Sequence, residues 1–577
     1  MQITNIEFNN YRNLNNLTIQ FPTDISFIIG ENGIGKSNIL NALSKIFIYG
    51  KFADYDFTDS TKEIIVHISL ALSDEEIGSF DEYTDPSNPN KINLVIKQEI
   101  DDTGFSVYHL ETGEEISPRL LKNVYYIYYD SLRNPRTELS FEKDKGSGSF
   151  LNFIIKYFLE KHDEADEAYV NKEKLSEILT FINSSIGDLR TVKRNNVSVH
   201  TDSNNISFLN RVFQLYDYKD IELKNSGYGI QFSLLVIFSL FERLIDITTK
   251  AKKLGQPLEK ITCILAFDEP EIHLHPFAQR ALIKDLVAIA QGKDVGFNKV
   301  IKELFGINSF SAQLLIVSHS DRIISGGYEN IVRLYSAGED IKAVSGQSIK
   351  VDYAEQLKKD EKHLQRLLPY FCEALFARKV LFVEGESELG AINTFAKIMD
   401  IDLDGYGISV INTSGGDTIN PMIKLFSLFQ IKCLGVKDRD VYDRKHNMGT
   451  KTDDDDRLIA DGRLILTKEP NFEFEIVNAF NNLEGLYSIL QTVDANLVVA
   501  QQRDKVNNFI QNFNYPLVPV SKSLDWSDCN DDVKKKLFLL VALGGIKSIT
   551  TGSMLAEIFT PETIPDTYKE ILEQLIQ

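Results

Sequence analysis

No apolar stretch in this chain is long enough to cross a bilayer. The longest, Phe232 to Phe241, is interrupted by serines, whereas a spanning helix needs about 20 consecutive apolar residues, so membrane insertion is not expected. The opening residues Met1-Gln2-Ile3-Thr4-Asn5-Ile6-Glu7 lack the basic-then-apolar layout of a secretory signal, which makes a cytoplasmic location the expectation. Cysteine is scarce as well. Cys263, Cys372, Cys433 and Cys529 are scattered without a Cys-x-x-Cys pair, so neither a disulfide framework nor a zinc site is expected, and the thiols read as buried and reduced. Positive charge is in deficit too: 62 Lys and Arg stand against 83 Asp and Glu, a net charge of −21. That excludes a protein that coats nucleic acid indiscriminately, because such affinity comes from Lys and Arg releasing counterions.

What is present is length and alternating pattern. At 577 residues with 43% apolar side chains, the chain predicts two or more α/β domains. Short apolar runs at Ile3 to Phe8, Leu17 to Phe21, Ile25 to Ile29, Ile64 to Leu72, Ile92 to Ile100 and Val124 to Tyr129 predict one mixed sheet. From Ser149 to Leu189 the periodicity becomes helical, and the polar Arg194 to Asn205 reads as a loop. Strands return at Ile261 to Phe267, Gln313 to Val317 and Ile331 to Tyr335. A charged, helical-looking connector, Tyr353 to Phe376, leads to a second strand–helix series: Val380 to Val383, Ile408 to Ile411, Cys433 to Val436 and Leu464 to Leu466. There is no internal repeat, and the acidic run Asp453 to Asp456 reads as a solvated loop.

Two constellations carry chemistry. Gly30-Glu31-Asn32-Gly33-Ile34-Gly35-Lys36-Ser37 follows an apolar strand and opens a helical-looking segment, Asn38 to Ile46, the context a phosphate-binding loop requires. Backbone N–H groups and a helix N-terminus favour anionic phosphate there, Lys36 adds a point charge and Ser37 can ligate Mg²⁺. Asp268, ending the strand Ile261 to Phe267, suits the second shell of that ion, and Glu269 suits the base that orients the attacking water. In the other half, Glu384 and Glu388 follow the strand Val380 to Val383, and Asp438-Arg439-Asp440 follows Leu434 to Val436. Four carboxylates at two strand ends suit two divalent ions, Mg²⁺ or Mn²⁺, acting on one phosphate. Such a cluster repels DNA until metal binds and attracts phosphate afterwards, so the net charge does not argue against a nuclease. Glu475 completes this shell or simply starts a helix. Lys547, in Leu543-Gly544-Gly545-Ile546-Lys547, neutralises charge on the phosphate or is ordinary surface.

The order of phosphate loop, Asn225-Ser226-Gly227-Tyr228-Gly229, Asp268-Glu269-Pro270 and Ser318-His319-Ser320 resembles an ABC-type ATPase head of the chromosome-maintenance and repair kind, opened by Ile6-x-Phe8-x-Asn10-Tyr11-Arg12-Asn13. The resemblance implies that two heads sandwich ATP, Ser226 and Gly227 of one capping the γ-phosphate held by Lys36 of the other, with His319 sensing it. The signature departs from a plain Ser-Gly-Gly, no glutamine loop is placed, and Asn225 to Gln231 also reads as a glycine turn before an apolar helix. His273 and His275 alternate as metal ligands can, and read better as part of the loop after Glu269 that shapes the subunit contact. Arg133 falls where related heads carry an arginine after a strand and reads equally as surface.

The strand–Glu–Gly and strand–Asp-x-Asp segments resemble Toprim motifs. An ABC-type head with a helical insertion followed by a Toprim, Rossmann-like α/β domain resembles the OLD (overcoming lysogenization defect) family, which includes the larger Gabija subunit and retron-associated nucleases. The implied layout is a head over 1–145 and 211–350 split by a helical dimerisation insertion over 146–210, a linker over 351–376 and Toprim over 377–577. The implied activity is a DNA endonuclease or nickase in anti-phage defence, with ATP and Mg²⁺ or Mn²⁺ as cofactors. It is expected as a homodimer or homotetramer, with a reverse transcriptase carrying an RNA–DNA hybrid, or a helicase-like subunit, as partner. An ATP-gated nucleic-acid sensor or scaffold that does not cut is the alternative.

Overall fold

A computed structural model describes residues 1–21, 24–74, 83–85, 87–130, 138–139, 147–162, 172–201, 213–217, 219–253, 258–321, 327–353, 372–439, 452–469, 471–479 and 547–577, with residues 76, 133, 324 and 492. The chain forms two compact units, Met1–Tyr353 and Ala354–Gln577. The connector expected over 353–376 lies outside the described residues at 354–371, as do Asp440 and Cys529.

In the first unit, β1 (Gln2–Asn9), β2 (Leu17–Gln20), β3 (Ile25–Ile29), β4 (Ile64–Ala71), β5 (Lys91–Gln98), β6 (Ser106–His109), β7 (Glu115–Ile116) and β8 (Tyr125–Tyr129) precede the helices Ser147–His162, Lys172–Gly187 and Arg190–Asn195. β9 (Ser198–Thr201) and β10 (Phe213–Tyr216) pair as an antiparallel ribbon. The loop expected over 194–205 is therefore strand at Ser198–Thr201, where Val199 is buried and its backbone is tied at both N–H and C=O by the Asn183 amide. After the helix Tyr228–Lys253 come β11 (Lys260–Asp268), the helices Pro276–Ala290 and Val295–Phe305, then β12 (Ser309–Val317), β13 (Ile331–Ala337) and β14 (Asp340–Ser345).

The single mixed sheet expected at the N-terminus is two sheets. β2-β1-β4-β5-β6-β7 is antiparallel, whereas β3 and β8 join β14-β13-β3-β12-β11-β8, parallel except for β14. Burial explains the division. β4 alternates buried and half-buried residues, as a strand covered on one face does, while β11 and β12 are buried continuously from their fourth residue, as central parallel strands are. Ile6, Phe8, Ile39, Leu43, Val66 and Leu315 share one core, so the helix Lys36–Ser44 packs between the sheets.

The second unit is built on β15 (Lys379–Val383), β16 (Ile408–Asn412), β17 (Lys432–Lys437) and β18 (Leu464–Leu466), all parallel in the order β16-β15-β17-β18. Leu381, Val383, Leu434 and Val436 form one core with Phe395, Phe472 and Ile571, while Phe382 meets Phe426 on the other face at 5.8 Å between ring centroids. Strand order reverses at β15. In open parallel sheets, ligands bind beyond the carboxyl ends of strands at such a switch point. The helix Glu386–Ile398, which follows β15, crosses the helix Ile549–Ala556 with backbones in contact: a Cβ on Gly390 would collide with the Ile549 carbonyl oxygen, and one on Gly552 with that of Ser387. That close approach fixes Lys547, just before the second helix, relative to the residues after β15. Among the described residues no helix is long and apolar enough to cross a membrane.

Candidate functional site

The head's phosphate loop turns out of β3 into the helix Lys36–Ser44, with Gly35 at φ 101°, a left-handed conformation that glycine adopts without strain. A Cβ there would also lie 2.6 Å from Leu14 and 2.7 Å from the Asn13 side chain, so the opening turn of the chain seats on the loop. Lys36 is buried and donates to the carbonyls of Gly30 (2.9 Å) and Glu31 (2.8 Å). Burial lowers its ammonium to about 8, against the opposing pull of Glu269, Asp268 and Glu31. The Ser37 hydroxyl donates to Asp268 Oδ1 at 2.9 Å. Asp268 is raised to about 6, chiefly by burial and against that hydrogen bond, with Glu269, Asp130 and Glu271 adding to the rise. Parallel pairing sets Asp268 opposite Val317, so the segments after β11 and β12 emerge side by side. Glu269 takes up φ 47° with its N–H on Val317 O at 3.0 Å, and its carboxylate lies 3.0 Å from His319 Nε2.

The structure thus brings together Gly30, Gly35, Lys36, Ser37, Asp268, Glu269 and His319, with Asn32 and Gly33 exposed at the loop's tip. Ser226 is held elsewhere, donating to Asp217 at 2.8 Å. Among the described residues no hydrogen bond joins Ser226 or Gly227 to residues 30–37. Arg133 is half-buried between Glu138 and Glu242, and the His273 ring lies 4.8 Å from that of Phe232. Glu271 was not singled out from sequence. It is buried, its Oε1 accepts from Ser318 Oγ and His319 N, and among the described residues its Oε2 has no partner. The signal was the third acid of Asp268-Glu269-Pro270-Glu271.

In the second unit, Glu384 follows β15 and Asp438 follows β17. Glu384 Oε1 accepts the Asp438 N–H at 2.8 Å. Glu388 is 3% exposed, and its Oε2 accepts the N–H groups of Glu384 (2.8 Å) and Gly385 (3.0 Å) at the start of its own helix. Burial, reinforced by Glu384, pushes its carboxyl up to about 8. Tyr568 donates to its Oε1 at 3.4 Å. Asp438 Oδ1 accepts the N–H of Phe472 at 3.2 Å, at the N-terminus of the helix Phe472–Ala479, where the dipole favours an anion.

Glu475 and Lys547 have different surroundings. Glu475 Oε1 accepts from Lys468 N, Glu469 N and Thr567 Oγ1, which ties the helix to neighbouring backbone. Glu473, two residues earlier and so about 200° round the helix, is buried and pairs with Lys547 Nζ at 3.0 Å. Among the described residues its Oε2 has no partner, and Lys547 also feels Asp438 and Glu388. Gly416, unnoticed in sequence, leaves the room Glu384 occupies: a Cβ there would lie 2.6 Å from Glu384 Oε1. The run Asp453 to Asp456 is the first turn of the helix Asp453–Ala460 and not a solvated loop. Thr452 and Asp455 cap it reciprocally, four aspartates complement its dipole, and buried Asp455 pairs with Lys437 Nζ at 2.9 Å.

Carboxylate oxygens, with the buried orphan Oε2 of Glu473 among them, are the donor type a hard divalent cation takes. Among the described residues, no three acidic, His or Cys side chains converge closely enough to hold an ion by themselves. The family AAA ATPase domain matches residues 1–187 and 131–324, more than half of the chain, and the family "Overcoming lysogenization defect protein-like, TOPRIM domain" matches residues 375–440. The chain belongs to the OLD family of ATPase–Toprim proteins. It is similar to the Old nuclease of Escherichia phage P2, 20% identical over 473 residues that cover 75% of this chain and 76% of that protein. It is also similar to the OLD nuclease of Thermus scotoductus, 22% identical over 316 residues, 51% of this chain and 54% of that one. The solved C-terminal region of the Burkholderia pseudomallei OLD protein aligns over 35% of this chain and 97% of its own length, at 25% identity and a TM-score of 0.25. In this OLD-family chain, nucleotide use belongs to the first unit and divalent-metal use to the second.

Proposed function

We propose that this OLD-family chain is an ATP-binding, divalent-metal-dependent DNA endonuclease or nickase whose head regulates cutting. The observation that carries the reading is the hydrogen bond from the Asp438 N–H to the Glu384 carboxylate at a topological switch point, with Glu388 buried behind it. Carboxylates that repel one another are kept together where a cation is to be bound. Glu384, Glu388, Asp438 and Asp440 would hold Mg²⁺ or Mn²⁺, with Glu473 in the place first given to Glu475. The ion supplies Lewis-acid polarisation of the scissile phosphate. Lys547, held by Glu473, offsets negative charge beside it. In the head, Lys36 and Ser37 bind the nucleotide, Asp268 holds its Mg²⁺ and Glu269 orients water, with His319 on the Glu269 carboxylate. Ser226 and Gly227 complete the site from a second copy, which makes the working form a dimer or tetramer.

By family resemblance the chain serves as the cytoplasmic effector of an anti-phage system, joined to a retron reverse transcriptase with its RNA–DNA hybrid or to a helicase-like subunit, as in Gabija, with ATP restraining cutting. One observation favours a second reading, an ATP-gated nucleic-acid sensor that does not cut: among the described residues no three acids converge. The chain purified with whatever co-elutes and incubated with plasmid at fixed free Mg²⁺ or Mn²⁺, with and without a non-hydrolysable ATP analogue, separates the two. Metal-dependent nicking that the analogue changes by roughly 5- to 150-fold supports the nuclease. DNA binding without cutting in either ion supports the sensor.

A further inference from the structure

We infer that a groove on the head, between the helices Arg190–Asn195 and Pro276–Ala290, binds the phosphodiester backbone of DNA. This rests on the reading of the chain as a protein acting on DNA and adds a place, remote in sequence from the carboxylates, where the substrate is held. The groove encloses about 530 Å³ and is lined by five cations, Arg190, Lys193, Arg194, Arg280 and Lys284, against a single acid, Asp285. In a chain of net charge −21 that is a local reversal of sign.

The cations are of two kinds. Arg194 donates to both oxygens of Asp285, at 2.7 and 2.8 Å, and Arg190 pairs with Asp294 at 2.9 Å. Both aspartates are 2% exposed, so these pairs are structural and hold the groove's shape. Among the described residues Lys193, Arg280 and Lys284 form no ion pair, although Asp188 feels the charge of Lys193, and Lys193 and Lys284 are exposed. Arg280 and Lys284 are one turn apart on the same helix face, about 6 Å along its axis, so the uncompensated charge forms a short track along one wall. A second hollow of about 300 Å³ shares Arg190 and Lys193 but adds no free charge, because its Lys299 pairs with Asp188 on the same rim.

An exposed aromatic ring completes the surface. Phe277 is 74% exposed, and the Arg280 guanidinium lies 4.9 Å from its ring centroid. A cationic track with an accessible aromatic face is how proteins hold single strands, phosphates on the cations and an unpaired base on the ring. An acidic face of a second copy would also be drawn here. The centre of a protein–protein interface, however, is apolar and depleted of charge, and this groove is charged across its width.

The test uses the full chain and fluorescent oligonucleotides, single-stranded and duplex, in EDTA so that nothing is cut, across a salt series. The variant Lys193→Gln/Arg280→Gln/Lys284→Gln removes only cations without partners, so no buried acid is orphaned. It is expected to bind roughly 10- to 100-fold more weakly at about 100 mM salt, with a slope of log K against log salt shallower by about 2 to 3. The control Lys193→Arg/Lys284→Arg should bind as wild type. Phe277→Ala should weaken single-strand binding about tenfold and duplex binding little. Wild-type affinity and salt slope in the triple variant overturn the inference. So does a changed oligomeric state with DNA binding intact, which would make the groove a contact between copies. If the wild type binds DNA through this groove yet no ion supports cutting, the groove stands and the nuclease reading falls. If the chain cuts and the triple variant binds unchanged, the reverse holds.

Discussion

Glu384 and Asp438 are 54 residues apart in sequence, and the carboxylate of the first accepts the backbone N–H of the second at 2.8 Å. Adjacent parallel strands put them there, because β15 and β17 pair in register and both end where the strand order reverses. The contact fixes the backbone at Asp438 and so aims its side chain.

Gly416 leaves the space in which the Glu384 carboxylate lies. Gly416→Ala sets a methyl 2.6 Å from Glu384 Oε1 and should displace that carboxylate while the rest of the unit folds normally. A displacement of about 1 Å at a reacting centre costs up to 10²-fold in rate, so nicking should fall by roughly 10- to 100-fold with an unchanged melting temperature. Wild-type nicking by Gly416→Ala would remove Glu384 from the site.

Glu388, raised to about 8 by burial and by Glu384, is protonated at neutral pH and charges as pH rises. A metal ion that needs the carboxylate competes with that proton. The Mn²⁺ concentration giving half-maximal nicking should therefore fall between pH 6 and pH 8, by up to about tenfold per unit, and level off above. A requirement independent of pH across that range would show that Glu388 does not ligate the ion.

The Lys437–Asp455 pair is buried on both sides, at 8% and 4% side-chain exposure. Burial would raise the Asp455 carboxyl, but Lys437, Thr452 and Asn420 outweigh it and hold it below the ordinary aspartate range. A depressed acid stabilises the fold above its unfolded value, about 3.9, and that stability is lost as pH falls through the folded value. Asp455→Asn should cost about 3 kcal/mol at pH 7, by leaving Lys437 buried without its counter-charge. The gap to wild type in denaturant unfolding should narrow as pH falls below about 4. A gap that widens with acid would contradict the assignment.

Glu269 lies 3.0 Å from His319 and beyond the Ser37–Asp268 contact. Glu269→Gln should slow ATP hydrolysis by about 10²- to 10⁴-fold, the range for a general base, with nucleotide binding retained. Phosphate release and filter binding measure the two halves. An unchanged rate of release would place the base elsewhere.

The parts legible in sequence are those in which chemistry and local structure coincide. The phosphate loop is one continuous segment between a strand and a helix and Asp268-Glu269 ends an apolar run, so each was legible locally, while their meeting across 231 residues was implied only by the resemblance to an ABC-type head. Glu473, Gly416 and Tyr568 were not legible, because each matters through an element far away in the chain. In Asn471-Phe472-Glu473-Phe474-Glu475 the sequence pointed to Glu475, and only the phase of the helix, set by its start at Phe472, brings Glu473 to Lys547 instead. The run Asp453 to Asp456 looked solvated because Lys437, which neutralises Asp455, lies on a strand 18 residues earlier.

The most direct measurement of the central claim is plasmid nicking by wild type, Glu384→Ala and Asp438→Ala, each in Mg²⁺, Mn²⁺ and EDTA, with circular dichroism to confirm the fold. The account predicts cutting by wild type in a divalent ion only, and a loss of several orders of magnitude in both variants. Cutting in EDTA, or wild-type cutting by either folded variant, would contradict it.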